Sequence, residues 1–189
     1  MTVDAFSYLS VLLSVILGLA IQQVLLGYRG LALSRRNIRW YAPPLIWSVL
    51  ILAMVSQHWW SSFGIAGRSD WSFALFATIL IQTALFYMMA AVVLPDIPAG
   101  QPTDLKAHYY REAPVFFAIT LATILWSVFR EYMLEGRLLQ PIDLGFHLLF
   151  LAMTLIALFS RRPRVHEVSA GLMIGIFAVY IGLLFARLD

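Results

Sequence analysis

The sequence predicts an all-α, polytopic integral membrane protein whose six transmembrane helices form one compact bundle. Of its 189 residues, 61% are hydrophobic and 12% are charged. That charged share is about half the roughly 25% of an average soluble domain, too little to cover a soluble surface. The mean hydropathy is +0.83, and the apolar residues form six runs, each near the roughly 20 residues that a helix needs to cross a bilayer.

These runs are predicted to be helices because they are continuous, whereas the strands of a membrane barrel alternate over about ten residues. The predicted spans are Phe6–Leu26, Pro44–Phe63, Trp71–Leu94, Pro114–Arg130, Ile142–Ser160 and Val168–Phe185. Five loops and two short tails remain, so we expect a single domain over residues 1–189. In the third loop, residues 103–113 are predicted to form a short helix that lies in the membrane interface or extends the fourth span.

The absence of several motifs narrows the function. The chain has no Cys, which excludes a disulfide scaffold and a Cys-ligated zinc or iron–sulfur site. It contains no Gly-x-Ser-x-Gly, His-Glu-x-x-His or phosphate-loop sequence, the motifs that hydrolases, metalloproteases and nucleotide-binding enzymes use. The sequence therefore gives no indication of catalysis.

The basic residues predict the orientation. Nine of the thirteen lie in the first, third and fifth loops: Arg29, Arg35, Arg36, Arg39, Lys106, Arg111, Arg161, Arg162 and Arg164. The other four are Arg68, Arg130, Arg137 and Arg187. The positive-inside rule then places both termini outside, in a membrane of the bacterial inner type. The expected partner is the lipid bilayer and not nucleic acid, because the arginines are divided among short loops.

Polar and small residues within the spans predict where helices meet. Small residues follow one face of the first span (Ser10, Ser14, Gly18) and recur on the sixth span (Gly171, Gly175). Such faces let helices approach closely, within the bundle or against a second copy of the chain. Gln22 and Gln82 are candidates to line a cavity, because a buried amide has several groups to satisfy.

A group of polar residues is predicted at one depth near the outer surface. His58 and His147 each lie about five residues below the outer end of a span, roughly 7 Å deep. Asp143 lies four residues before His147 and shares its helix face, and the fourth span ends at the same level with charged residues. The predicted ligand-binding residues are Gln57, His58, Trp60, Arg130, Glu131, Asp143, His147, Gln22 and Gln82.

The chemistry of this group is open at the level of the sequence. The leading hypothesis is a protein that binds or transports a small solute, ion or lipid through an outward-facing polar site. The first alternative is a redox subunit in which His58 and His147 hold haem or a divalent metal. The second is a non-catalytic scaffold or accessory subunit. His108 and His166 would form an inner pair, but His108 is predicted in a loop, which argues against a second haem.

Overall fold

A computed structural model describes residues 5–98 and 100–184. Over these residues the protein is all-α apart from two very short strands. The helices are α1 (Ala5–Leu33), α2 (Ala42–Ser61), α3 (Phe73–Val93), α4 (Leu105–Glu135), α5 (Pro141–Phe159) and α6 (Pro163–Leu184). The predicted end of the sixth span at Phe185, Arg187 and both chain termini lie outside the described residues.

Within residues 5–98 and 100–184, five helices are long and apolar enough to cross a membrane: α1, α3, α4, α5 and α6. Helix α2 is 20 residues long but does not belong to this set. Two prolines, Gln57 and His58 interrupt its apolar sequence, and such residues lower hydropathy sharply. The chain therefore has the helices of a multi-pass membrane bundle, with five spans supported by length and composition.

The helices begin and end where the sequence supplies capping groups. The hydroxyl of Ser72 accepts a hydrogen bond from the backbone N–H of Leu75 at the start of α3, as an N-cap does. Helices α2 and α5 each have proline in the first turn, where its missing N–H costs nothing. Gly136 ends α4 in the left-handed region, at φ +67°, and its N–H donates to the carbonyl of Tyr132 at 2.9 Å.

Helix α4 extends beyond the predicted fourth span at both ends. The carboxylate of Asp104 accepts hydrogen bonds from the backbone N–H groups of Lys106 and Ala107, so the helix begins at Leu105. Residues 105–113 are thus its first part and continue without a break through Pro114. Helix α1 likewise continues beyond its predicted end at Leu26, as far as Leu33.

The helices form a closed ring in the order α1, α3, α4, α5, α6, α2, in which each contacts the next and α2 returns to α1. Helix α2 also contacts α3 and α4, and Trp47, Ile51 and Val55 on it are almost fully buried. The outward faces of the other helices are apolar. They expose large side chains such as Val11, Val15, Leu19, Leu125, Leu148 and Val179.

The two ends of the bundle differ. We call the end where α1, α3 and α5 finish the packed end. There β1 (Ile38–Arg39) pairs in parallel with β2 (Thr103–Asp104), and Nη1 of Arg39 lies 3.1 Å from the Asp104 carboxylate. Helix α1 comes so close to the end of α3 that a Cβ on Gly27 would lie 2.7 Å from Leu94. We call the opposite end, where α2 and α4 finish and α3 and α5 begin, the cavity end.

Candidate functional site

A cavity of about 260 Å³ opens among α2, α3, α4, α5 and α6 at the cavity end. Its lining includes Glu135 at the end of α4 and Thr123, twelve residues earlier. At 1.5 Å per residue the cavity therefore reaches roughly 18 Å along the helix. Drug-sized ligands occupy pockets of about 300–1,000 Å³, so this cavity suits a smaller molecule.

The cavity brings together most of the residues that the sequence singled out. Seven of the nine predicted ligand-binding residues line it: Gln57, His58, Gln82, Arg130, Glu131, Asp143 and His147. They come from four helices, α2 to α5. Helix depth predicted a common level for the outer group and Gln82 was predicted separately as a buried amide, whereas the packing of the helices brings all seven into one lining.

The other two predicted residues lie elsewhere. Gln22 is exposed on α1, a helix that contributes nothing to the cavity lining. Its neighbour Gln23 faces the bundle instead, and its amide donates a hydrogen bond to the Tyr87 hydroxyl at 3.2 Å. Trp60 is 41% exposed and is not part of the lining.

His58 is held by a cation on one side and a hydroxyl on the other. Nη1 of Arg130 donates to Nδ1 of His58 at 3.0 Å, because a guanidinium can only donate. Nδ1 is therefore an acceptor without hydrogen. Nε2 lies 3.3 Å from the hydroxyl of Thr83, which donates its own hydrogen to the carbonyl of Ile79. His58 is thus a neutral imidazole with its hydrogen on Nε2.

His147 is held in the opposite way. Its Nδ1–H donates to the backbone carbonyl of Asp143 at 2.9 Å, and the Asp143 carboxylate oxygen Oδ1 lies 3.0 Å from the same nitrogen. Both neighbours are acceptors, so Nδ1 must carry hydrogen. Nε2 lies 2.9 Å from the Ser127 hydroxyl. The two cavity histidines therefore differ in which nitrogen carries the hydrogen.

Several polar atoms in the cavity wall are buried without a protein partner. The amide oxygen of Gln82 accepts no hydrogen bond, and Nε of Arg130 donates none. Gln82 itself is only 1% exposed. An unpartnered buried polar group costs about 1–3 kcal/mol, so bundles rarely keep one without a reason.

The lining holds more acidic than basic residues. It has three carboxyl groups, those of Glu131, Glu135 and Asp143, and one guanidinium, that of Arg130. The Arg130 guanidinium is also close to Glu131, with Nη2 at 3.8 Å from the carboxylate. Glu135 in turn lies 3.6 Å from Nη2 of Arg137, which is outside the lining.

Aromatic side chains form another part of the wall. Phe86, Phe150, Phe177 and Tyr180 line the cavity. Phe86 packs against the ring of His58, with centroids 5.1 Å apart, and Phe150 packs against that of Tyr180 at 5.6 Å. The cavity lining thus combines carboxyl groups with aromatic rings.

Sequence reasoning missed part of this site. Ser127 and Thr123 belong to a polar series on the fourth span, with steps of three and four residues, and that spacing is the signal that predicts their shared face. Thr83, Phe177 and Tyr180 give no such signal. They reach the site because α3 and α6 both contact α2.

The structure offers little to a metal at the two histidines. Both nitrogens of His58 and both of His147 already have protein partners. Across residues 5–98 and 100–184, no group of three or more His, Asp or Glu is arranged to hold a metal ion. Haem or a divalent metal at this pair therefore stays a prediction that no contact supports.

The inner histidines lie in a different environment. At the packed end, Nδ1 of His166 lies 3.0 Å from the Tyr109 hydroxyl, and Nε2 donates to the Ser160 carbonyl at 2.9 Å. The rings of Tyr109, Tyr110 and Phe117 surround it. His108 lies within α4 and not in a loop, and Nε2 of its ring is buried without a partner.

The predicted small-residue faces point away from the bundle. Ser14 and Gly18 on α1 and Gly171 and Gly175 on α6 are exposed, and nothing lies within 4 Å of a Cβ built on these glycines. They do not pack helices within one copy of the chain, so self-association through them stays a prediction.

Comparison with known proteins adds no family: no protein-family model, curated protein or solved structure matches the chain. The function must therefore be argued from the cavity itself.

Proposed function

We propose that the chain is a six-span inner-membrane protein that binds a small solute in the cavity and transports it or senses it. One observation carries this proposal. Polar and charged side chains from four helices converge on one cavity. Polar groups that serve packing alone bond to each other across closely packed helices. Here they surround an open volume of about 260 Å³, as a ligand site requires.

The sixth span is α2. It is 20 residues long, which is sufficient to cross the hydrocarbon core. Its neighbours α1, α3, α4 and α6 contact it, and Trp47, Ile51 and Val55 are shielded from lipid. Because its surroundings are protein, this helix tolerates Gln57 and His58, which lipid would penalise.

The cavity faces outward. The basic residues of the first, third and fifth loops lie at the packed end, which the positive-inside rule assigns to the cytoplasm. The cavity lies at the other end, with the loop between α2 and α3 and the loop between α4 and α5. A solute would therefore enter from outside the cell membrane.

Thiol labelling tests this proposal, since the chain has no cysteine of its own. In Thr123→Cys the new thiol lies deep in the cavity wall, and in Ser61→Cys it lies near the end of α2. Ser14→Cys is the matched control, because Ser14 is exposed on α1 and faces lipid. We expect a small membrane-impermeant methanethiosulfonate reagent, added outside intact cells, to modify the thiols at positions 61 and 123. The thiol at position 14 should stay unmodified.

Two results would overturn the proposal. If the position 123 thiol reacts from neither side in folded protein, the cavity is not open to solutes. If it reacts only in inside-out vesicles, the cavity faces the cytoplasm. Arg36→Cys, exposed between α1 and α2, and Gly67→Cys, in the loop between α2 and α3, must react from opposite sides if α2 is a span.

A further inference from the structure

We propose that the solute is a small organic ammonium ion, held by the carboxylates and the aromatic rings that line the cavity. This inference rests on the proposed function, because it names the ligand class of the same cavity. The observation behind the inference is that one lining contains two acidic side chains next to aromatic ones: Glu131, Asp143, Phe150, Phe177 and Tyr180.

The charges of the lining favour a cation. Glu131, Glu135 and Asp143 outnumber Arg130 three to one. The Arg130 guanidinium is already committed, since it donates to His58 and lies against Glu131. Glu135 is paired with Arg137 outside the lining, at 3.6 Å, so an anion entering the cavity would meet Glu131 and Asp143 beside one occupied cation. Charge complementarity of this kind selects a ligand by the sign of its charge.

The aromatic wall favours an organic cation over an inorganic one. The faces of aromatic rings attract cations through their quadrupole, and quaternary ammonium ligands are recognised in this way. Phe150, Phe177 and Tyr180 contact one another, with the Phe177 and Tyr180 centroids 5.9 Å apart. A metal ion needs several oxygen or nitrogen ligands at close range, and the described residues contain no such group.

The size of the cavity limits the ligand. A volume of about 260 Å³ lies below the roughly 300–1,000 Å³ of pockets for drug-sized ligands, so we expect a small ammonium compound. Choline, a quaternary ammonium ion, is a suitable probe.

The test is a calorimetric titration of the purified full chain in phosphatidylglycerol nanodiscs, with choline and its neutral isostere 3,3-dimethylbutan-1-ol. The two probes have the same shape and differ in charge. We expect choline to bind at least about tenfold more tightly, about 1.4 kcal/mol at 25 °C. Equal affinity for the two probes, or absence of choline binding, overturns the ammonium inference.

Variants locate the binding. Asp143→Asn and Glu131→Gln each keep the side-chain shape and remove one carboxylate, so each should weaken choline binding by about tenfold. Asp70→Asn is the matched control, because Asp70 lies outside the cavity in an exposed pair with Arg68. Phe177→Leu should weaken choline binding and leave the isostere unaffected. Choline affinity that is unchanged in all three cavity variants would overturn the inference.

A second measurement does not require a bound probe. Thr123→Cys can be labelled with a cationic trimethylammonioethyl reagent and with an anionic sulfonatoethyl one, each rate divided by that of the loop thiol of Gly67→Cys. We expect the cationic reagent to be favoured at least about tenfold. Faster anionic labelling overturns the ammonium inference and leaves the proposed function intact. Failure of both reagents at position 123 overturns the proposed function.

The ammonium group could belong to a free solute or to a lipid headgroup. Repeating the choline titration in phosphatidylethanolamine nanodiscs separates the two sources. A lipid headgroup in the cavity would lower the apparent affinity for choline in proportion to the ethanolamine lipid. A free solute as the natural ligand leaves the affinity the same in both nanodiscs. Either result supports an ammonium site and assigns its source.

Discussion

The two ends of the bundle each bury a histidine, but in different surroundings. At the packed end, His166 is 1% exposed, both of its ring nitrogens have partners and aromatic rings surround it. At the cavity end, His58 is 2% exposed, yet it shares its surroundings with Arg130, Thr83 and a cavity. Burial therefore does not distinguish a structural histidine from a candidate ligand-binding one.

What distinguishes them is the charge of their neighbours and the space beside them. His166 contacts neutral hydroxyl and carbonyl groups, so its hydrogen bonds serve packing. His58 contacts the guanidinium of Arg130 and His147 contacts the carboxyl group of Asp143, and both histidines line open volume. Charged groups kept inside a membrane bundle are costly and usually functional. The predictions below test this contrast.

The largest effect is expected at Arg130. Arg130→Met keeps most of the side-chain volume but leaves Nδ1 of His58 and the Glu131 carboxylate without their cation. We expect the free energy of unfolding to fall by about 3 kcal/mol, measured by detergent titration in mixed micelles. Arg137→Met is the control, since the Arg137 side chain is 68% exposed, and its effect should stay within about 0.5 kcal/mol. Equal effects would contradict the contrast.

A smaller effect is expected at the packed end. His166→Ala removes a buried ring and leaves the Tyr109 hydroxyl without its partner. We expect a loss of about 2 kcal/mol of unfolding free energy and no change in choline affinity. In His147→Ala we expect the opposite: choline affinity should fall more than the free energy of unfolding. Choline binding that falls in His166→Ala would show that the packed end takes part in the site.

Two threonines give a matched pair. The hydroxyl of Thr83 is the acceptor for Nε2 of His58, so Thr83→Val should cost about 1 kcal/mol of unfolding free energy. The Thr154 hydroxyl is buried without a partner and Thr154 does not line the cavity. Thr154→Val should therefore be neutral or stabilising by up to about 1 kcal/mol. Identical destabilisation of both variants would argue against the His58–Thr83 hydrogen bond.

The smallest effect is a pH dependence at the packed end. The backbone N–H of Ala107, and then that of Lys106, hold the pKa of Asp104 below its usual value, about 3.9 in unfolded chains. Because the folded pKa is the lower one, this stabilisation is present above about pH 4 and is lost as the pH falls through the folded pKa. Asp104→Asn should abolish this part of the pH dependence, measured as unfolding midpoints between about pH 3 and pH 5. If the unfolding midpoints of the unsubstituted chain and of Asp104→Asn change in parallel with pH, the lowered pKa of Asp104 is contradicted.

The sequence could predict helices and depths but not neighbours. The apolar runs locate the helices, and the rise per residue places His58 and His147 near the same level. The sequence could not show that Ser127 contacts His147. Nor could it show that Gln23 and not Gln22 faces the bundle, because apolar residues flank both glutamines in the sequence and lipid is as apolar as a protein core.

Helix order is the missing information. The apolar run of α2 predicts a span but does not explain its Gln57 and His58, which become understandable through the contacts of α2 with four other helices. Tyr180 likewise has no distinguishing feature in the sequence until α6 is placed beside α2 and α5. Depth follows from local geometry, whereas contact between residues far apart in the chain depends on how all the helices pack.

The central claim is that charged neighbours hold the two cavity histidines in opposite hydrogen-bonding states. Nitrogen-15 NMR of imidazole-labelled protein at neutral pH tests it most directly, because the two ring nitrogens differ in shift according to which carries hydrogen. His58→Gln and His147→Gln variants assign the signals. The structure predicts hydrogen on Nε2 of His58, with an unprotonated Nδ1, and hydrogen on Nδ1 of His147. Hydrogen on Nδ1 of His58, or an unprotonated Nδ1 in His147, would contradict it.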